Sequence, residues 1–233
     1  MKNTKPHPRP PAPPRVAAGG QGLALLEGPE AAARLYALAG AEEEGAGLLL
    51  RGADLTGEDL DGLTLRCCIL ENCRLTGAGL RRAAFTDCLF RRCDLSGAQW
   101  YDGSLLRCRW EGVKALGCNL AGARLRDFAC TDGRLDGLRL DGAGLEYARL
   151  EATSLAGANL SGLRWNALVL DDADLSGACV TGASLRGLDL RRCRISGLTA
   201  GDSLRELRGA IVDPIQAAEL ARLLGLEDRK SVV

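Results

Sequence analysis

The chain of 233 residues carries 30 basic and 30 acidic side chains, 30 glycines and 10 cysteines, but only three each of Phe, Tyr and Trp. A formal charge of zero removes bulk electrostatics as a route to nucleic acid or membrane, since both need a surplus of one sign. The single histidine is His7, so no Ser/His/Asp triad, Cys/His dyad or histidine metal site is expected in the folded part, and no enzyme activity or cofactor.

Residues 1–20 hold six of the eight prolines, with Lys2, Lys5, Arg9 and Arg15 between them. That composition predicts a disordered, extended tail. Its prolines stand where an export signal needs an apolar run, and no stretch approaches 18 consecutive apolar residues, so the expectation is a cytoplasmic protein without a membrane span. Residues 21–47 read as an N-terminal cap. Within it Pro29–Leu38 predicts a short helix, with Pro at its start and Gly40 beyond its end, and Leu35, Tyr36 and Leu38 available to cover the first repeats. Glu42, Glu43 and Glu44 read as a solvated linker.

From residue 48 to 202 the sequence repeats every five residues without a slip. Of the 31 positions taken every fifth residue from Leu50 to Ala200, 28 are Leu, Ile, Val, Phe or Trp, and the exceptions are Ala115, Cys130 and Ala200. Two residues before each centre a small residue prevails, and two after it Gly recurs, as at Gly57, Gly77, Gly97, Gly157 and Gly177. A period of five matches neither the 3.6 of a helix nor the 2 of a strand. It predicts a square coil of four such units, with the centre and the residue two before it inward and coils stacked at about 4.8 Å. Large residues at the inward neighbour accompany small centres, as Phe128 does Cys130, Val113 does Ala115 and Leu198 does Ala200, which keeps the packed volume constant. Ala115 is expected to make room for Trp100 and Trp110.

Seven cysteines, Cys68, Cys73, Cys88, Cys93, Cys108, Cys118 and Cys193, take the small inward position. They read as small hydrophobes in a reducing compartment; a column of thiols diverges along an axis, whereas metal ligands converge. Cys67 and Cys179 fall on outward positions and are the expected reactive thiols.

Residues 203–228 read as a C-terminal capping or dimerisation helix, and 229–233 as a tail. Asp213 is the expected N-cap, Pro214 the first helical residue, Gln216 the partner in a capping box and Gly225 the stop. Ile215, Leu220, Leu223 and Leu224 are the candidate apolar face, which either seals the last coil or also joins two copies.

Segments such as Ala53-Asp54-Leu55-Thr56-Gly57 and Ala173-Asp174-Leu175-Ser176-Gly177 resemble the unit of pentapeptide-repeat proteins. The resemblance implies an all-β solenoid, a right-handed quadrilateral β-helix of pentapeptide repeats with short capping helices at both ends. The run from Gly209 to Ala218, followed by Leu223-Leu224-Gly225-Leu226, is similar to the tail of the Qnr and MfpA group. That resemblance implies a homodimer that binds DNA gyrase or topoisomerase IV, protects the enzyme from quinolones or natural-product poisons, and does so by mimicking DNA. The alternative is a general protein-interaction scaffold with an unrelated partner. Residues 51–200 hold 20 basic and 19 acidic side chains, which departs from a phosphate-like surface. The candidate partner-binding face is the mildly acidic side with Asp59, Asp61, Asp102 and Asp141, interrupted by Arg81, Arg82 and Arg139; no sequence-specific contact with nucleic acid is expected.

Overall fold

The structure is a computed structural model and describes residues 9–16 and 20–225. The expected tail 229–233 and the first part of the proline-rich tail lie outside the described residues. Two residues past nearly every central apolar residue the backbone turns through the left-handed region: φ is +72° at Gly57, +67° at Gly77, +53° at Asn72 and +57° at Asp87. Glycine reaches this region freely, and Asn and Asp reach it at lower cost than other residues. This is why the repeat carries Gly at that place and why its substitutes are so often Asp. Each such corner sends the chain into the next side, so four sides close one coil.

The corners are of two kinds. After the first side (centres Leu55, Leu75, Leu95) and the second (Leu60, Leu80, Leu120), an amide bonds back to the central carbonyl, as Ala78 N to Leu75 O at 3.1 Å and Ala83 N to Leu80 O at 2.9 Å. The third and fourth sides carry short strands instead, such as Thr64–Arg66 and Ile69–Glu71. All pairing is parallel between successive coils: Leu65, Phe85, Leu105, Leu125, Leu145 and Trp165 stand in one column. The register advances by one whole coil at every step from Glu44↔Thr64 to Cys179↔Thr199. The result is a parallel β-solenoid of about seven coils.

The interior is filled by the two inward columns. Leu55, Leu60, Leu65 and Leu70 are at most 1% exposed, and so are Ala53, Leu63 and Cys68. Midway along, Phe85, Phe90, Trp100, Trp110 and Phe128 form a continuous aromatic stack, with centroids 4.8 Å apart for Phe85 and Trp100 and 5.2 Å for Trp110 and Phe128. Edge-to-face pairs of this kind add to the burial itself. Room for Trp100 comes from Gly103, where a Cβ would lie 2.5 Å from the indole; the indole N–H donates to Ala83 O at 3.1 Å. Ala115, expected to provide that space, is fully buried. Nearer the C-terminal end, Leu163, Trp165, Leu168 and Leu185 line a cavity of about 20 Å³, room for one water at most.

At the N-terminal end a strand without any repeat signal, β1 (Ala24–Glu27), pairs with the strand Leu48–Arg51. Between them the helix α1 (Gly28–Ala41) takes the place of the first two sides, ahead of the third-side strand Glu44–Ala46, and buries Ala31, Leu35 and Leu38, which share a face by their i, i+4, i+7 spacing. Tyr36 falls off that face and is 58% exposed, so it does not cap the coil. The helix also runs through Gly40, and its left-handed terminus is Glu42 (φ 54°). Gly45 lets the helix approach: a Cβ there would lie 2.6 Å from Leu38 and 2.7 Å from Leu65.

At the other end the register lengthens, so that Asp189 pairs with Ile211 where the regular step would bring it to Gly209. The helix α2 (Pro214–Ala221) starts with the expected capping box: Asp213 accepts from the amides of Ile215 and Gln216, and Gln216 Oε1 accepts from Asp213 N at 3.0 Å. Gly225 (φ +74°) ends the following 3-10 turn.

The proline-rich tail departs from the expected disorder over Arg9–Val16. Asp127 Oδ1 accepts from Arg9 Nη1 at 2.6 Å and from Ala12 N at 2.9 Å, and Asp87 Oδ1 accepts from Arg15 N at 3.1 Å. Val16 packs with Ile69 and Leu89. Composition alone hides this, because the tail's partners are carboxylates and an aromatic ring far along the chain.

Candidate interaction surfaces

The outward residues of a solenoid recur once per coil, so each surface column is a row of side chains about 4.8 Å apart. Here two of the rows mix both signs. Along the first side run Asp54, Arg74, Asp94, Lys114, Arg134, Ser154, Asp174 and Arg194, with ion pairs Asp94–Lys114 at 2.9 Å and Asp174–Arg194 at 3.1 Å. On the fourth side Arg51 pairs with Glu71 at 2.9 Å, Arg91 with Glu111 at 3.0 Å, and Arg149 with Asp171 at 2.8 Å. The hydrogen bond from Arg51 holds the Glu71 carboxyl below its ordinary value. Exposed pairs of this kind add little stability each, but together they cancel the field that a row of like charges would create.

The four candidate carboxylates lie on the second side or its corner, and they do not act as one acidic row. Asp61 is neutralised by Arg81, whose Nε is 3.0 Å away and whose amide also donates to it. Asp141 lies 3.3 Å from Arg139 Nε. Asp59 accepts from the amide of Asp61 at 3.0 Å, and Asp102 occupies a left-handed corner (φ 56°). Asp59 and Asp102 have no ion pair among the described residues. Between them in the same rows stand Gly79, Gln99, Tyr101 and Ala121.

The four candidate apolar residues of the C-terminal end divide. Leu220 is half-buried and packs on the core, while Ile215, Leu223 and Leu224 are 75%, 38% and 66% exposed. Ile211, 43% exposed, lies close in sequence. The inner face of α2 is secured by Gln216, whose amide nitrogen donates to Leu190 O and Cys193 O, each at 2.7 Å. The carbonyl of Cys193 has no further coil to bond, whereas that of Leu190 also accepts from Cys193 N at 2.8 Å, so one side chain both closes the capping box and caps the solenoid edge. Glu206 does the same for the amide of Gly182 at 2.8 Å. The box was legible in the sequence; its reach to the last coil was not.

A third surface is the corner between the third and fourth sides, where the column reads Cys67, Asp87, Arg107, Asp127, Tyr147 and Ala167. Asp87 is gripped by Arg107 at 2.6 and 2.7 Å. The guanidinium of Arg9 lies 3.6 Å from the centre of the Tyr147 ring, the distance of a cation–π contact. Burial pushes the carboxyls of Asp87 and Asp127 up, but the bonds from Arg107 and Arg15, and from Arg9 and Ala12, outweigh it and hold both below their ordinary value.

The thiols are free. Cys68, Cys73, Cys88, Cys93, Cys108, Cys118 and Cys193 are buried as expected, and Cys108 Sγ is typical in donating to Phe85 O at 3.3 Å. Burial pushes Cys118 up to about 12. Cys67 and Cys179 are both partly exposed. Hydroxyls of Ser161 and Thr181 at 3.3 and 3.4 Å lower the pKa of Cys179 to about 7. Among the described residues no group of three or more His, Cys, Asp or Glu side chains is placed to hold a metal ion, and no helix is long and apolar enough to cross a membrane.

Residues 83–160 match the family described as pentapeptide repeat region, and residues 47–82 and 169–199 match pentapeptide repeats (8 copies). The chain belongs to the pentapeptide-repeat proteins. Similar solved structures include HetL, a pentapeptide repeat protein involved in heterocyst differentiation regulation from the cyanobacterium Nostoc sp. strain PCC 7120, at 24% identity over 72% of this chain and 89% of that one, with a TM-score of 0.40. A trypsin-treated variant of QnrB1, a plasmid-mediated fluoroquinolone resistance protein, is 22% identical over 81% of this chain and 91% of that one, TM-score 0.39. Rfr23 from the cyanobacterium Cyanothece 51142 is 18% identical over 77% and 97%, TM-score 0.25. These likenesses describe a shared repeat and assign no partner. No curated protein matches the chain.

Proposed function

We propose that this pentapeptide-repeat protein is a non-catalytic homodimer that binds a type II topoisomerase, DNA gyrase or topoisomerase IV, and protects it from a poison of the DNA gate, a quinolone or a natural-product antibiotic. The observation that carries the reading is the C-terminal end formed by the helix α2 and the 3-10 turn Arg222–Leu224 after it: α2 is fastened to the last coil by Gln216, while Ile215 on the helix and Leu223 and Leu224 on the turn remain outward. Exposed apolar side chains gathered in one short segment mark an interaction surface. They sit in the segment whose sequence is similar to the tail of the Qnr and MfpA group.

The rows of mixed sign favour contact through the shape of the rod and a few local carboxylates, Asp59 and Asp102 first, over imitation of a phosphate backbone. A duplex carries one charge per about 1.7 Å, and no row here sustains one sign. That neutrality also favours the second reading, a scaffold for a different protein partner.

Supercoiling by gyrase, measured with and without a gate poison and with the purified protein added, separates the two. Rescue of supercoiling or loss of trapped cleavage complex at near-stoichiometric protein supports the topoisomerase reading. A folded sample without effect on gyrase or topoisomerase IV leaves the scaffold reading and directs the search to other partners.

A further inference from the structure

Residues Arg9 to Arg15 read Arg-Pro-Pro-Ala-Pro-Pro-Arg. Proline has no amide hydrogen, fixes φ at about −65° and biases the residue before it towards extended backbone. Such a run favours the polyproline II helix, which turns once every three residues and rises about 3.1 Å per residue. After Arg9, the only backbone N–H groups in the run belong to Ala12 and Arg15, one turn apart. Both therefore lie on the same edge, about 9.3 Å apart.

The corner column offers matching acceptors. Asp127 and Asp87 stand two coils apart, or about 9.6 Å at the spacing of paired strands. With the leader in place the side chain of Asp87 is 4% exposed and that of Asp127 8%, so neither carboxylate meets much solvent while the site is filled. Asp127 takes the amide of Ala12 at 2.9 Å and Asp87 that of Arg15 at 3.1 Å. One turn of the ligand thus spans two coils of the receptor. Next along the column Tyr147 holds the Arg9 guanidinium at 3.6 Å, and beyond the other end Ile69 and Leu89 receive Val16.

We propose that the corner between the third and fourth sides is a binding site for proline-rich, arginine-bearing peptides of the pattern Arg-Pro-Pro-x-Pro-Pro, and that the chain fills this site with its own leader. Selectivity comes from register. A proline at x removes the amide that Asp127 receives, and an insertion of one residue moves the second amide off Asp87. The leader is joined to the first coil, so its effective concentration at the site is of the order of millimolar. A partner segment has to exceed that, and the leader sets a threshold for its entry.

Two full-length chains test this, wild type and Ala12→Pro, which alters one tail residue and keeps the run extended. The Arg15–Val16 bond is open to trypsin once the leader is released, whereas the bond after Arg9 precedes proline. Loss of a hydrogen bond to a carboxylate is expected to speed cleavage at Arg15 about tenfold. A fluorescein-labelled peptide with the sequence of residues 9–16 is expected to bind the Ala12→Pro chain more tightly than wild type, by up to about tenfold, in anisotropy titrations. Adding Asp127→Asn to the variant should weaken that binding. Equal cleavage of the two chains overturns the proposal, and so does a peptide that fails to bind the vacated site or binds both chains alike.

Discussion

At the scale of single residues the fold is decided at corners and at inward neighbours. Gly103 is required because Trp100 occupies the space of its Cβ. Gly103→Ala is expected to cost about 1–3 kcal/mol by overpacking, read as a lower midpoint in chemical denaturation. The opposite change suits Ala167, held at φ 58°. Left-handed backbone costs a residue with a Cβ about 1–2 kcal/mol, and glycine loses roughly 0.5–1 kcal/mol more entropy on folding. Ala167→Gly should therefore raise stability by about 0.5 kcal/mol or more. Cys179 gives the pH dependence. Its folded pKa is lowered from 9.0 to about 7, so its stabilising effect is complete above pH 9 and is lost as pH falls through 7. Its alkylation rate by iodoacetamide should reach half its plateau near pH 7, while the buried thiols react only on unfolding; a rate still rising at pH 9 would refute the hydroxyl contacts. The place of Gly in the repeat was readable from the sequence, since it recurs two after the centre. The need for Gly103 was not, because it arises from where one indole packs.

At the scale of elements the two ends are sealed differently. The first coil is covered by the apolar stripe Ala31, Leu35 and Leu38 of α1; the last is closed by hydrogen bonds from Gln216 and Glu206. Gln216→Ala leaves the carbonyl of Cys193 without a partner, takes the second donor from that of Leu190 and opens the capping box, and should destabilise the C-terminal end by about 1–3 kcal/mol. Hydrogen exchange would show the loss confined to the last coil. Leu223→Glu addresses the outward face: if α2 joins two copies, light scattering should give the mass of one chain while circular dichroism is unchanged. Both helices were legible in the sequence from their prolines, but their faces were less so. Helical spacing sorts residues into faces without saying which face the coil meets, and so Tyr36 stands outside the sealing face and Leu220 apart from the outward leucines. The strand β1 carries no repeat signal, being placed by its partner Leu48–Arg51 and not by its own pattern.

At the scale of the whole molecule, the five-residue period made the solenoid plain, and the structure keeps its register at every coil from Glu44 to Thr199. The surface was less readable. Counting charges by side gives a mildly acidic face, whereas stacking brings several carboxylates against a base one coil away, as Asp61 against Arg81. Binding to a topoisomerase should then be weakly sensitive to salt, with affinity falling less than about tenfold between 50 and 200 mM, against the roughly 10³-fold or greater loss typical of contacts that replace phosphates. A steep slope in a salt titration would contradict a binding surface of mixed charge. The constant step of one coil has a geometric consequence for how such a rod changes length. Insertion or removal of a whole coil translates everything beyond it and leaves every side facing as before. A single extra unit of the repeat instead turns all later sides by a quarter revolution. The outward leucines that follow α2 would then point at right angles to their present direction, relative to the leader-filled corner. Rod length can therefore vary only in steps of four units if the two ends are to keep their mutual bearing, and even one coil added between Asp87 and Asp127 would break the match with the leader.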